Sequence, residues 1–265
     1  MSWTLESFKL LLSYRCDQEP VDTVGEVFSV LPKHGNRFVP IEAYAVDSDP
    51  FRVRTIPVDL ADPEAVIRLG CTTEDRRLFG FMVSLYNDAI TEMIWFLGHD
   101  PEYQSDSLQL SVHRDHLRSE EDAQALLALA CDLQPILKPV VGDIVDYKVE
   151  SANPVPFKYR RNGHTLPERI RWANFWGPAM VEGLGGMKKV MAAPAHEVRA
   201  FADGGMLLLS TPTLLTYGEA EDAAQRRAIW EWFDLGHLHE ELSRVKEKER
   251  REKRRAAEMA SRGDA

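Results

Sequence analysis

Cysteine is scarce in this 265-residue sequence: Cys16, Cys71 and Cys131 stand alone, with no Cys-x-x-Cys pair among them. That pattern argues against a disulfide framework or a cysteine-based zinc site and fits a reducing compartment. Long apolar runs are missing too; no stretch approaches the roughly 18 residues a membrane-spanning helix needs. The opening MSWTLESFKLLLSYR has Glu6 early and Arg15 late. It lacks the basic start, long apolar segment and small-residue cleavage site of a secretory signal. These absences predict a cytoplasmic protein with no membrane partner. No G-x-S-x-G elbow marks a nucleophilic serine, and no repeat of fixed period marks a solenoid or propeller.

Hydrophobic residues make up 44% of the chain and charged residues 28%, enough apolar material for a packed core. The length suits one large domain or two small intimate ones. We expect a single α+β domain over residues 1–240, divisible into halves 1–150 and 168–240, followed by a charged helical or disordered tail at 241–265. The net charge is −10; the tail holds nine Lys/Arg against six Asp/Glu, leaving residues 1–240 with 23 basic and 36 acidic side chains. So acidic a body argues against nucleic acid, which is bound through phosphate neutralisation. It suits a basic protein partner, whose encounter complementary charge accelerates.

Phe8–Tyr14 reads as a short strand, and the apolar positions 21, 24, 27, 28 and 31 have helical spacing. Residues 32–64, rich in Pro and Asp, predict loops with short extended pieces. Leu78–Leu85, Glu92–Leu97 and Leu108–His113 predict an antiparallel meander, with Asn87-Asp88 and Asp100-Pro101 supplying turns. Ser119 followed by three acids predicts an N-capped helix running to Pro139. Gly142–Val149 reads as a strand, Ile170–Leu184 as a helix stopped by Gly185-Gly186, and 197–201 with 206–210 as a hairpin. Glu219 to about Ala257 reads as a long helix with a break at Gly236; its last part has no apolar stripe. The fold class predicted is α+β: an antiparallel sheet covered on one face by helices 119–137 and 170–184, with a long charged C-terminal helix. Trp95, Trp172, Trp176, Phe79, Phe81, Leu126, Leu129 and Leu133 are its expected core. Trp172 and Trp176, at i,i+4 on a helix, would form one packing surface.

Several patterns touch on chemistry. His113-Arg-Asp-His116 has a spacing at which two imidazoles could share a metal, but no further ligand is evident and surface histidines are preferred. His237 and His239 project to different faces of a helix. Asp100, Glu102 and Asp106 could offer oxygens to a hard cation, yet the glycine and spacing of a calcium loop are absent. The glycines of Gly183-Leu-Gly-Gly-Met-Lys-Lys189 follow a predicted helix, where a phosphate-cradling loop would precede one, so they read as a C-cap. Cys131 lies in the apolar run of a helix and reads as core. No catalytic residue, cofactor site or metal site is expected.

The most informative stretch is residues 168–212, ERIRWANFWGPAMVEGLGGMKKVMAAPAHEVRAFADGGMLLLSTP. Its W-x-x-F-x-G-P start (Trp172, Phe175, Gly177, Pro178), Leu184-Gly185-Gly186 helix end and glycine hairpin resemble the C-terminal part of bacterial type VI immunity family proteins. Immunity proteins of polymorphic-toxin systems share the pattern. Upstream, Pro139-Val-Val-Gly-Asp-Ile144 is similar to the element that precedes the W-x-x-F segment in those proteins. The resemblance implies a non-enzymatic inhibitor that binds a cognate secreted toxin, basic given the acidic body, inside the producing cell.

Two rival readings stand beside it. One is a metal-dependent hydrolase whose site, including His113 and His116, assembles only in three dimensions. The other is an adaptor or chaperone-like scaffold that uses the charged C-terminal helix. For a toxin-binding surface the best stretch is Asp100–Asp106, where Asp100, Glu102 and Asp106 surround Tyr103; charge would steer the encounter and the aromatic ring would hold it. The sequence leaves the oligomeric state open.

Overall fold

Ser7–Tyr14 forms strand β1, and its even-numbered side chains Phe8, Leu10, Leu12 and Tyr14 are all buried, as a period of two on one sheet face requires. The computed structural model describes residues 7–14, 20–48, 51–70, 81–86, 90–97, 106–151, 166–167, 169–238, 240, 244 and 251; of these, 20, 45–48, 51–53, 70, 81–86, 90–97, 106 and 151 are described as backbone. The other strands are β2 (Glu42–Ser48), β3 (Phe51–Pro57), β4 (Phe81–Tyr86), β5 (Ile90–Leu97), β6 (Asp106–His113), β7 (Val141–Asp146), β8 (Ala173–Trp176), β9 (Glu197–Ala200) and β10 (Met206–Leu209). All ten join one antiparallel sheet in the order β3-β2-β4-β5-β6-β1-β7-β8-β10-β9. The protein is thus α+β, with the expected β4-β5-β6 meander. β1 divides the sheet, Leu10 standing opposite Leu110 on β6 and Ile144 on β7.

Helices α1 (Pro20–Val30) and α3 (Glu120–Leu137) cover one sheet face. Val24, Val27 and Phe28 from α1 and Leu126, Leu129 and Leu133 from α3 are buried with the inward residues of β1, β6 and β7. Each such side chain contributes roughly 1.5–3 kcal/mol by leaving water. The start of α3 follows from its sequence: the Ser119 Oγ accepts the Asp122 N–H at 3.2 Å, and the Asp122 carboxylate accepts the Ser119 N–H at 3.0 Å. This reciprocal box satisfies two backbone donors that a helix start leaves open. The helix ends at Leu137, where Lys138 turns left-handed (φ 45°) ahead of Pro139.

The 170–184 segment differs from the sequence reading. Instead of one helix, Ala173–Trp176 is strand β8, and helix α5 spans only Pro178–Gly183. β8 lies between β7 and β10, and all four of its residues are buried. A strand covered on both faces loses its apolar alternation, so two tryptophans four apart imitate helical spacing. Both tryptophans are buried, yet they do not form one surface. Trp172 joins the cluster under α1 and α3, whereas Trp176 joins a second cluster. That cluster includes Met180 and Val181 of α5, Val190 of α6 (Met187–Met191), Met206 and Leu208 of β10, and Ile229 of α7 (Ala220–Trp232). Phe233 meets Trp176 edge to face, centroids 5.5 Å apart. Over β8 and β10, therefore, helices cover the opposite sheet face as well.

Smaller differences have local causes. Residues 42–57 form two full seven-residue strands, because Pro40 precedes β2 and Pro57 closes β3 at the sheet edge, where no ladder bond is lost. Helix α2 (Pro63–Gly70) follows, with proline in its first turn. The 142–149 strand stops at Asp146 and passes into the short helix α4 (Tyr147–Ser151). Gly185 and Gly186, at φ 102° and 85°, do end a helix, and the Gly186 N–H closes back on the Val181 carbonyl at 2.9 Å. The C-terminal helix breaks at Phe233–Asp234, where Asp234 has φ 54°, rather than at Gly236. Phe79 and the side chains of Phe81 and Trp95 lie outside the described residues.

Candidate functional site

Asp100, Glu102 and Tyr103 of the expected docking stretch lie outside the described residues, as do Cys16, Cys71 and His239. The backbone of Asp106 is described: it opens β6, opposite Tyr14, and so belongs to the sheet rather than to the loop. β6 is one of the two central strands of the sheet.

His113 and His116 do approach each other, ring centroids 6.5 Å apart and edge to face. The His113 Nδ1 is engaged with the Asp115 N–H at 3.2 Å, capping the short turn of residues 114–116. Among the described residues, no three His, Cys, Asp or Glu side chains are grouped to hold a metal ion.

The most elaborate polar arrangement joins segments far apart in sequence, at the seam between β7, β8 and α7. The Glu150 carboxylate on α4 accepts hydrogen bonds from Arg169 at 3.1 Å, from Arg171 and from the Tyr217 hydroxyl. Arg171 also faces Asp143 of β7 at 3.8 Å. The Arg226 guanidinium lies over the Tyr217 ring, 4.4 Å from its centroid, and donates to Asp222 at 3.0 Å. Asn174, buried on β8, donates to the carbonyls of Arg171 and Leu208 and accepts the Arg171 N–H.

The electrostatics assign these groups a holding role. Burial alone would raise the Glu150 carboxyl, but Arg171, Tyr217 and Arg169 outweigh it and keep it below the usual range. Burial, with Glu150 adding to it, raises the Tyr217 hydroxyl, which stays protonated as a donor. Burial pushes the Asp143 carboxyl up to about 6 against the pull of Arg171. An anion already accepting three donors has little capacity left to take a substrate proton. The cluster therefore staples α4, the residues before β8 and the residues before α7 into one unit.

Exposed apolar side chains stand on two neighbouring helices. Met187 (44% exposed) and Met191 (49%) stand one turn apart on α6, and Trp232 (43%) stands on the adjoining α7. The Trp232 indole donates to the Lys189 carbonyl at 3.3 Å, tying the two helices together. Tryptophan and methionine are enriched in protein interfaces. The sequence reading missed these residues because a Met or Trp near a helix end reads equally well as core.

No protein-family model matches the sequence, and no curated protein sequence matches it. Among solved structures, the fold is similar to that of a protein described as "Pseudomonas aeruginosa T6SS protein PA0821". The TM-score is 0.58 at 12% identity, over 86% of this chain and 72% of that one. At that identity the likeness is one of fold.

Proposed function

We propose that this chain is an immunity protein of a type VI secretion system, acting in the cytoplasm by binding and neutralising a cognate toxin and not by catalysis. The observation that carries the reading is the fold likeness to a protein described as belonging to such a system, over most of both chains. The 168–212 resemblance independently supports the same assignment. The acid excess of residues 1–240 supports a basic toxin, such as one whose substrate is itself an anion.

The experiment is a contact competition. A strain deleted for this gene is grown against its parent, with and without a working type VI apparatus in the parent. The deleted strain should be killed only by the secretion-competent parent, and a plasmid copy of the gene should restore survival. Undiminished survival beside that parent, in a strain with no second copy of the gene, overturns the reading.

A further inference from the structure

We propose that β9 is a self-association edge, through which two copies of the chain join their sheets antiparallel about Val198. Among the described residues, β9 ends the sheet and pairs with β10 alone. The hairpin fixes which of its backbone groups point outward. Phe201 donates to the Gly205 carbonyl at 2.8 Å, so the bonded pairs across β9 and β10 are the odd residues 201, 199 and 197. On the far side of β10, Ser210 donates to the Trp172 carbonyl at 2.8 Å, and the even residues of β10 serve β8. The N–H and C=O groups of Val198 and Ala200 therefore face away from the sheet. Arg199 and Ala200 are exposed.

Edge strands are commonly blunted by short length, by charged side chains, lysine above all, by proline or by a bulge, and β9 is short at four residues. β9 has neither lysine nor proline; on one face it carries one charge of each sign, with the Arg199 guanidinium 2.6 Å from the Glu197 carboxylate. This arrangement selects a register. When Val198 of one copy stands opposite Val198 of the second, their N–H and C=O groups bond reciprocally. Each Glu197 then lies directly opposite an Arg199, in the non-bonded position where side chains approach closest. Shifting the centre to Arg199 sets arginine against arginine, and shifting it to Glu197 sets glutamate against glutamate. Only the Val198-centred pairing gives two opposite-charge pairs, and charge thus specifies both the occupant, a second copy, and its alignment. The inference does not rest on the immunity reading.

The test is sedimentation of the full chain over a concentration series, with native mass spectrometry. The parent should show a concentration-dependent dimer. Glu197→Arg and Arg199→Glu each place like charges opposite one another and should weaken self-association by about tenfold or more. An equimolar mixture of the two variants should associate again as a heterodimer, since arginines of one then face glutamates of the other. That recovery also shows that both variants fold. Ala200→Pro removes an N–H that points away from β10, and should weaken the dimer while leaving the melting temperature near the parent's. A parent that stays monomeric throughout, or a mixture that associates no better than either variant alone, overturns the proposal.

Discussion

The indole N–H of Trp172 donates to the carbonyl oxygen of Thr211 at 3.0 Å, so the residue just before β8 is bonded to the chain just after β10. Trp172 is fully buried. Trp172→Phe keeps most of the ring but leaves that carbonyl without its donor, which should cost about 1–3 kcal/mol. Trp172→Ala adds a cavity and should cost about 3–5 kcal/mol. Urea unfolding of the two variants measures the difference; a phenylalanine variant as stable as the parent would show that the hydrogen bond contributes nothing.

The seam carboxylates should give opposite pH dependences. Glu150 titrates lower in the folded state than unfolded, so its contribution is present above its unfolded pKa and is lost as the pH falls through the folded value. Asp143, raised from 3.8 to about 6, does the reverse: its contribution is full below 3.8 and is lost as the pH rises to 6. Asp143→Asn should remove the decline between those values and leave the protein as stable or more stable at neutral pH. Glu150→Gln leaves Arg169 and Arg171 without their shared anion, and should cost about 3 kcal/mol at neutral pH. Unfolding free energies measured from pH 3.5 to 7.5 separate the two; a parent-like profile for Asp143→Asn would refute its assignment.

Cys131 should behave as an inert thiol. It is partly buried on α3, and burial pushes its pKa from 9.0 to about 11, the pull of Arg199 notwithstanding. At pH 8 that leaves about a hundredfold less thiolate than an ordinary cysteine, and the thiolate is the reactive form. In a variant with Cys16 and Cys71 replaced by serine, alkylation of the native protein should be slower than that of the urea-unfolded protein by at least that factor. Equal rates would mean the thiol is open to solvent.

Much of this architecture is legible in the residues. β1, α1 and the meander follow from apolar periodicity, and α3 from Ser119 and Asp122. The β9-β10 turn follows from Asp203-Gly204-Gly205, where the Asp203 carboxylate accepts the Gly205 N–H at 2.9 Å. Legibility fails where tertiary context overrides local pattern. β8 reads as helix because both its faces are buried. The Glu150 cluster is invisible because its members, from Asp143 to Arg226, meet only after the sheet has formed. The exposed Met187, Met191 and Trp232 carry no sequence mark separating surface from core.

The acidic docking stretch makes a separable kinetic prediction under the immunity reading. Tyr103→Ala should mainly speed dissociation of the toxin complex, since aromatic anchors act on the bound state. Asp100→Lys with Glu102→Lys should slow association and flatten its salt dependence. Surface plasmon resonance at several ionic strengths reads both effects. If both variants bind and protect as the parent does, the interface lies elsewhere, and α6 with Trp232 is the next surface to alter.

The strand that divides the sheet is synthesised well before either strand that flanks it. β1 leaves the ribosome long before its neighbours: its β6 partners begin at residue 106 and its β7 partners at residue 141. Until then its row of apolar side chains lacks both flanking strands, and the second is complete only once residue 146 has been made. Closing such distant contacts is slow, and a waiting apolar strand invites aggregation. Yield in the cell should therefore depend on translation speed and chaperone supply more than the stability of the finished protein suggests.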